Sequence, residues 1–121
     1  MIQIQGDLVY LENSNENKKQ LYRIYNEVSK ELLGVGTISL KVDIENDLIT
    51  FRAKHRRAHR STSLEKEVPD LKQKLDVQLS MMFKTRVKEK LEGELGLEVA
   101  AILRDYDSQT QLAFTNAVLS R

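Results

Sequence analysis

Thr37-Ile38-Ser39-Leu40-Lys41-Val42-Asp43-Ile44, followed by Glu45-Asn46-Asp47 and then Leu48-Ile49-Thr50-Phe51-Arg52-Ala53, decides the fold of this chain. Apolar and polar residues alternate strictly along the first run, the period of a strand with one buried face. Glu45-Asn46-Asp47 is turn chemistry, because short polar side chains bond their own backbone there. Ile49, Phe51 and Ala53 continue the apolar face on the way back. The stretch predicts an antiparallel hairpin, its polar side turned to water or to a partner.

A hairpin with one greasy face needs a cover, and the flanking sequence supplies helices. Upstream, Asn13 to Leu33 carries Leu21, Ile24, Tyr25, Val28, Leu32 and Leu33 at helical spacing. Asn13 and Ser14 are both N-cap types, Asn13 and Glu16 have the arrangement of a capping box, and Gly34 stands where a C-cap glycine belongs. Downstream, Lys54 to Ser61 lapses into a basic loop, and Thr62 with Glu65 reads as a second capping box. Pro69 fits only a first helical turn. The expectation is a short turn at Ser63–Val68, then a helix from Pro69 to about Glu92 with a stripe at Leu71, Leu75, Leu79, Met82, Val87 and Leu91, widened by Phe83. At about 1.5 Å per residue such a helix exceeds 30 Å, long enough to overhang the sheet. Gly93 and Gly96 close it. Leu97–Leu103 and Gln111–Leu119 then form a second hairpin around Asp105-Tyr106-Asp107-Ser108, apolar on both faces. Its strands are expected at the centre of the sheet or under a partner.

The pattern is αββαββ: an α+β domain with a four-stranded, mainly antiparallel sheet and two helices packed on it. It occupies residues 13–121. Residues 1–12 are either a short N-terminal β-arm, turning at Gly6-Asp7, or a flexible tail. Surplus apolar surface on the long helix and the last hairpin predicts a homodimer, its interface containing Leu79, Met82, Phe83, Phe114 and Val118.

Composition removes several function classes. The chain of 121 residues has no cysteine, so disulfides and thiolate metal sites are excluded, which fits a reducing cytoplasm. No apolar run approaches the roughly 20 residues that span a bilayer, and the first residues lack the pattern of a signal peptide. Any membrane connection would pass through a partner. Nineteen basic against eighteen acidic residues leave a net charge of +1, so no global field steers it to nucleic acid or anionic lipid.

Local constellations are few. Arg52, Lys54, His55, Arg56, Arg57, His59 and Arg60 precede the next acid, Glu65. Arg52, Lys54, Arg56, Arg57 and Arg60 are the candidate contacts to a protein partner; phosphate neutralisation on nucleic acid is the alternative. A solvated loop with no role is the plainest reading. His55 and His59 lack the glutamate of a zinc helix motif and are flanked by cations, so no metal or other cofactor is expected. They read as ordinary titratable loop histidines. Asp105 and Asp107 suit a turn better than acid/base work, although a small hydrolase would draw on them together with the histidines. Met81-Met82 reads as core filler. No catalytic residue emerges.

Certain short stretches resemble the MpsC-like family, named after a bacterial sodium-translocating, membrane-potential-generating system. They are Leu33-Gly34-Val35-Gly36, the strand pair Ser39–Val42 and Leu48–Arg52, Thr62–Glu65, Glu92-Gly93-Glu94-Leu95-Gly96-Leu97-Glu98-Val99, and Arg104-Asp105-Tyr106-Asp107. The likeness runs from about Asn15 to Leu119. The Gly34–Thr37 approach to the strand and the basic Lys54–Arg60 segment depart from the family pattern. What the resemblance implies is a non-catalytic accessory or regulatory protein linked to a membrane ion or inorganic-carbon system. It carries over no catalytic residue.

Overall fold

The structure, a computed structural model, describes residues 2–5, 8–56 and 59–120, and side-chain surroundings for 11–56 and 62–120. Its elements are β1 (Ile2–Gln5), β2 (Leu8–Leu11), α1 (Asn15–Leu33), β3 (Ser39–Glu45), β4 (Leu48–Lys54), α2 (His59–Glu67), α3 (Pro69–Leu95), β5 (Val99–Asp107) and β6 (Leu112–Leu119). The expected α+β architecture is present. β3, β4, β6 and β5 form an antiparallel sheet in that order, while β1 and β2 pair as a separate ribbon. The turn expected at Gly6-Asp7 lies outside the described residues. Leu11, the last residue of the ribbon, is buried in the core, so the arm is anchored to the domain.

Alternation sorts the sheet into two faces. Across its inner face run Ile44–Ile49–Ala117–Ile102, Val42–Phe51–Thr115–Arg104 and Leu40–Ala53–Ala113–Tyr106. Leu21, Ile24, Tyr25 and Val28 of α1, with Phe83, Val87 and Leu91 of α3, close over that face. A register shift between Val99 and Ala101 lets β5 return Ile102, Arg104 and Tyr106 to it. The sheet order separates the two strands of the last hairpin: β6 is central, whereas β5 is an edge strand.

Several boundaries also move. Of the two N-cap candidates, Ser14 caps α1, its hydroxyl accepting from the Asn17 amide, so the Asn13–Glu16 capping box does not form. Thr62 and Glu65 lie inside α2, which starts at His59, so they are no helix start, and the last two residues of the basic segment, His59 and Arg60, are helical. Val68, with φ −140° and ψ 69°, breaks the chain between α2 and α3, and Pro69 begins α3. β5 runs through Asp107, which moves the turn to the residues around Thr110.

The two helices differ in length, and that difference shapes the molecule. α1 has 19 residues and α3 has 27. They run antiparallel, cross-linked by Arg23–Glu94, Lys90–Glu27 and Arg86–Glu31. Stepping back along that register, α1 ends opposite Phe83. The part of α3 before Phe83 therefore has no α1 beside it and projects about 20 Å, with α2 packed against it. The expected stripe divides at this point. Phe83, Val87 and Leu91 are core, whereas Leu71, Leu75 and Met82 are exposed, as are Val77 and Met81.

Candidate functional site

Where the overhang leaves the sheet, a polar cluster occupies what would otherwise be core. Arg104 stands at an inward position of β5, beside Thr115 of β6. Its Nη1 donates to Tyr25 Oη and to Thr115 Oγ1, both at 2.8 Å. Nη2 lies 3.3 Å from His55 Nε2, and Tyr25 Oη lies 2.8 Å from the same atom. A guanidinium only donates, so Nε2 must accept, which places the imidazole proton on Nδ1. The guanidinium carbon sits 3.9 Å from the Phe83 ring centroid, a cation–π arrangement. Phe51 stacks on Tyr25 at 5.3 Å, and Tyr106 meets the His55 ring edge-on at 6.3 Å.

His55 follows the end of β4. Its backbone amide donates to the Gln111 carbonyl at 3.0 Å, and Gln111 holds a left-handed φ of 62° in the turn before β6. The sequence reading of His55 as an ordinary titratable loop histidine is therefore corrected, since it is 2 % exposed. Burial first, and the Arg104 charge second, lower its pKa from 6.5 to about 4. The ring is neutral at physiological pH. Burial also raises the Tyr25 hydroxyl above its usual value, against the opposing pull of Arg104 and Thr115, so Tyr25 keeps its proton.

Charge balance is unusual here. Arg104 makes no ion pair among the described residues. Two buried N–H groups, Nδ1 of His55 and Nε of Arg104, have no hydrogen-bond partner there. Above them is a cleft of about 670 Å³. Leu32, Leu33 and Val35 wall it at the end of α1, Leu64 on α2, and Leu75, Leu79 and Phe83 on α3; its polar groups include His55, Arg56, Lys72, Asp76, Arg104 and Tyr106. Lys72 is buried and paired with Asp76. A neighbouring groove of about 610 Å³ shares Lys72, Asp76, Arg104 and Tyr106 and adds Asp105 and Asp107.

The residues singled out from sequence scatter over this frame. Arg52 and Lys54 project from the outer face of β4, Arg52 near the Phe114 ring. Arg56 lies at the cleft. Arg57 lies outside the described residues, and so do the side chains of His59 and Arg60. The described members of the basic segment thus do not form one loop surface. Asp105 and Asp107 alternate to the outer face opposite Arg104 and Tyr106, so they do not converge with His55. Among the described residues no group of three His, Asp or Glu side chains could hold a metal.

Of the proposed interface residues, Met82 and Phe114 are exposed and Leu79 and Val118 half-buried. Phe83 is a correction: at 1 % exposure within its own subunit it has no surface to offer a second copy. Met81 is likewise exposed and does not fill the core. Arg104 was missed because an arginine at the end of an apolar run looks like the start of a turn. The signal was there in Ile102-x-Arg104-x-Tyr106, which keeps strand alternation.

Comparison with known proteins adds no relative: no protein-family model, curated protein or solved structure matches the chain. The resemblance to MpsC-like proteins rests on the short stretches quoted above. No helix among the described residues is long and apolar enough to cross a membrane.

Proposed function

We propose that this chain is a non-enzymatic accessory module that works by protein–protein association, two copies joining along the projecting half of α3. One observation carries the reading: Leu71, Leu75, Val77, Met81 and Met82 are all exposed on a helix that extends past the end of α1. Apolar side chains concentrated on one projection are characteristic of an interaction surface. A second copy suits it because the overhang is itself a helix with apolar residues around its circumference, able to pack against its own kind. The cysteine-free sequence supports a reducing, cytoplasmic setting.

The outer sheet face supports a second contact, to a protein partner. Lys41, Arg52 and Phe114 share one row there with Asp105, and Leu103 is exposed nearby. Mixed charge beside an exposed aromatic suits a protein surface. The MpsC-like resemblance supports seeking that partner at a membrane ion or inorganic-carbon system. Nucleic acid is disfavoured on the same face, because Asp43, Glu45, Asp105 and Asp107 stand among the cations. Binding of a labelled oligonucleotide across salt concentrations separates the two readings. Steep weakening with salt would favour nucleic acid, and absence of binding the protein partner.

Association is tested by sedimentation velocity on the whole chain and on Leu71→Glu with Met82→Glu. Both positions are exposed, so the double variant stays folded by circular dichroism while its dimer dissociates. A wild-type chain that remains monomeric at high concentration overturns the reading.

A further inference from the structure

We infer that the cleft beneath the overhang is a binding site for an apolar carboxylic acid, its head group on Arg104 and its hydrocarbon body along the α1 and α3 walls. Arg104 lines the cleft and the groove beside it, yet among the described residues its hydrogen bonds go to Tyr25, Thr115 and His55, all neutral. A cation held at an inward sheet position without an anion is costly, and with both Nη1 hydrogens engaged and Nε buried, the second Nη2 hydrogen is the one left for a ligand carboxylate. The charged lining favours the same sign of ligand. Arg56, Lys72 and Arg104 outnumber the single carboxylate, Asp76, which Lys72 already engages.

The remaining wall sets the body of the ligand. Leu33, Val35, Leu75 and Leu79 offer no hydrogen bonds, so that part of the cleft gains from hydrocarbon and gives a polar ligand nothing. A volume of about 670 Å³ accommodates a medium-length chain with its head group. Inorganic anions would satisfy Arg104 and leave the apolar wall wet. An uncharged alcohol would do the reverse. Only a molecule with both features uses the whole cleft.

The experiment is calorimetric titration of the full chain with dodecanoate, kept below its micellar concentration, beside dodecanol and acetate. Dodecanoate is expected to bind one per chain in the micromolar range, with the other two at least tenfold weaker. Arg104→Gln is expected to reduce dodecanoate affinity tenfold or more. Because Arg104 also braces the core, Val35→Glu provides a second variant. Val35 is exposed at the cleft and lies off the projecting helix, and a carboxylate there repels the ligand without disturbing the fold. Sedimentation of the same samples reads assembly separately, so loss of dimerisation and loss of acid binding are distinguishable. Equal binding of dodecanol, absence of dodecanoate binding, or undiminished binding by Val35→Glu would overturn the site.

Discussion

The guanidinium carbon of Arg104 lies 3.9 Å from the centre of the Phe83 ring, and that contact marks where the core of the domain stops and its projection begins. Behind it, α3 is wedged against α1 and the sheet. Ahead of it, the same helix has lost its neighbour, and the space between helix and sheet becomes a cleft.

The boundary predicts a sharp change in mutational cost along one helix. Phe83→Ala removes a wholly buried aromatic that touches Tyr25, His55 and Arg104. Its unfolding free energy should fall by about 3–5 kcal/mol. Lys88→Ala, exposed on α3, should change stability by less than about 0.5 kcal/mol. Denaturant titration of the two variants checks the contrast, and equal effects would refute it.

Arg104 and Tyr25 should be energetically coupled. Arg104→Ala removes three charge-assisted hydrogen bonds and the cation over Phe83, a loss of about 2–3 kcal/mol. Arg104→Lys should recover little of it, because an ammonium cannot reproduce the planar fork that reaches Tyr25 and Thr115 through Nη1 and His55 through Nη2. A double-mutant cycle with Tyr25→Phe should give an interaction of about 1–2 kcal/mol. Strict additivity would mean the contact has no energetic weight.

His55 makes stability depend on pH. The groups facing it are Tyr25 from α1, Phe83 from α3, and Arg104 and Tyr106 from β5. Burial, with the Arg104 charge, lowers its pKa from 6.5 to about 4, so the unfolded chain takes up the proton more readily than the folded one. Stability is full above pH 6.5, declines as pH falls towards 4, and levels off below; the total loss approaches 3 kcal/mol, on the order of 1.4 per pH unit. His55→Phe should flatten the slope in that window. An unchanged slope in the variant would assign the acid sensitivity to other groups.

Periodicity made much of the fold legible. Strict alternation in Ser39–Ala53 allowed one hairpin, and the apolar spacing of Leu21, Ile24, Tyr25 and Val28 allowed one helix. Met82 and Phe83 show where this kind of reading stops: they are neighbours on one apolar stripe, yet one is exposed and the other enclosed. What separates them is the end of α1, a tertiary fact that no local pattern carries. The site was hidden for a related reason. His55 and Arg104 are polar residues at inward positions, and sequence rules place polar residues outside. Only the strand register, which sets Arg104 opposite Thr115 and in line with Phe51, brings them under Tyr25.

The most direct test of the whole account is sedimentation velocity of the intact chain over a range of concentrations, alone and with Leu71→Glu and Met82→Glu combined. The expected result is the mass of two chains for the wild type and of one chain for the double variant, with unchanged helical content. A wild-type protein that sediments as a single chain at every concentration, its projecting helix stable and unaccompanied, would contradict it.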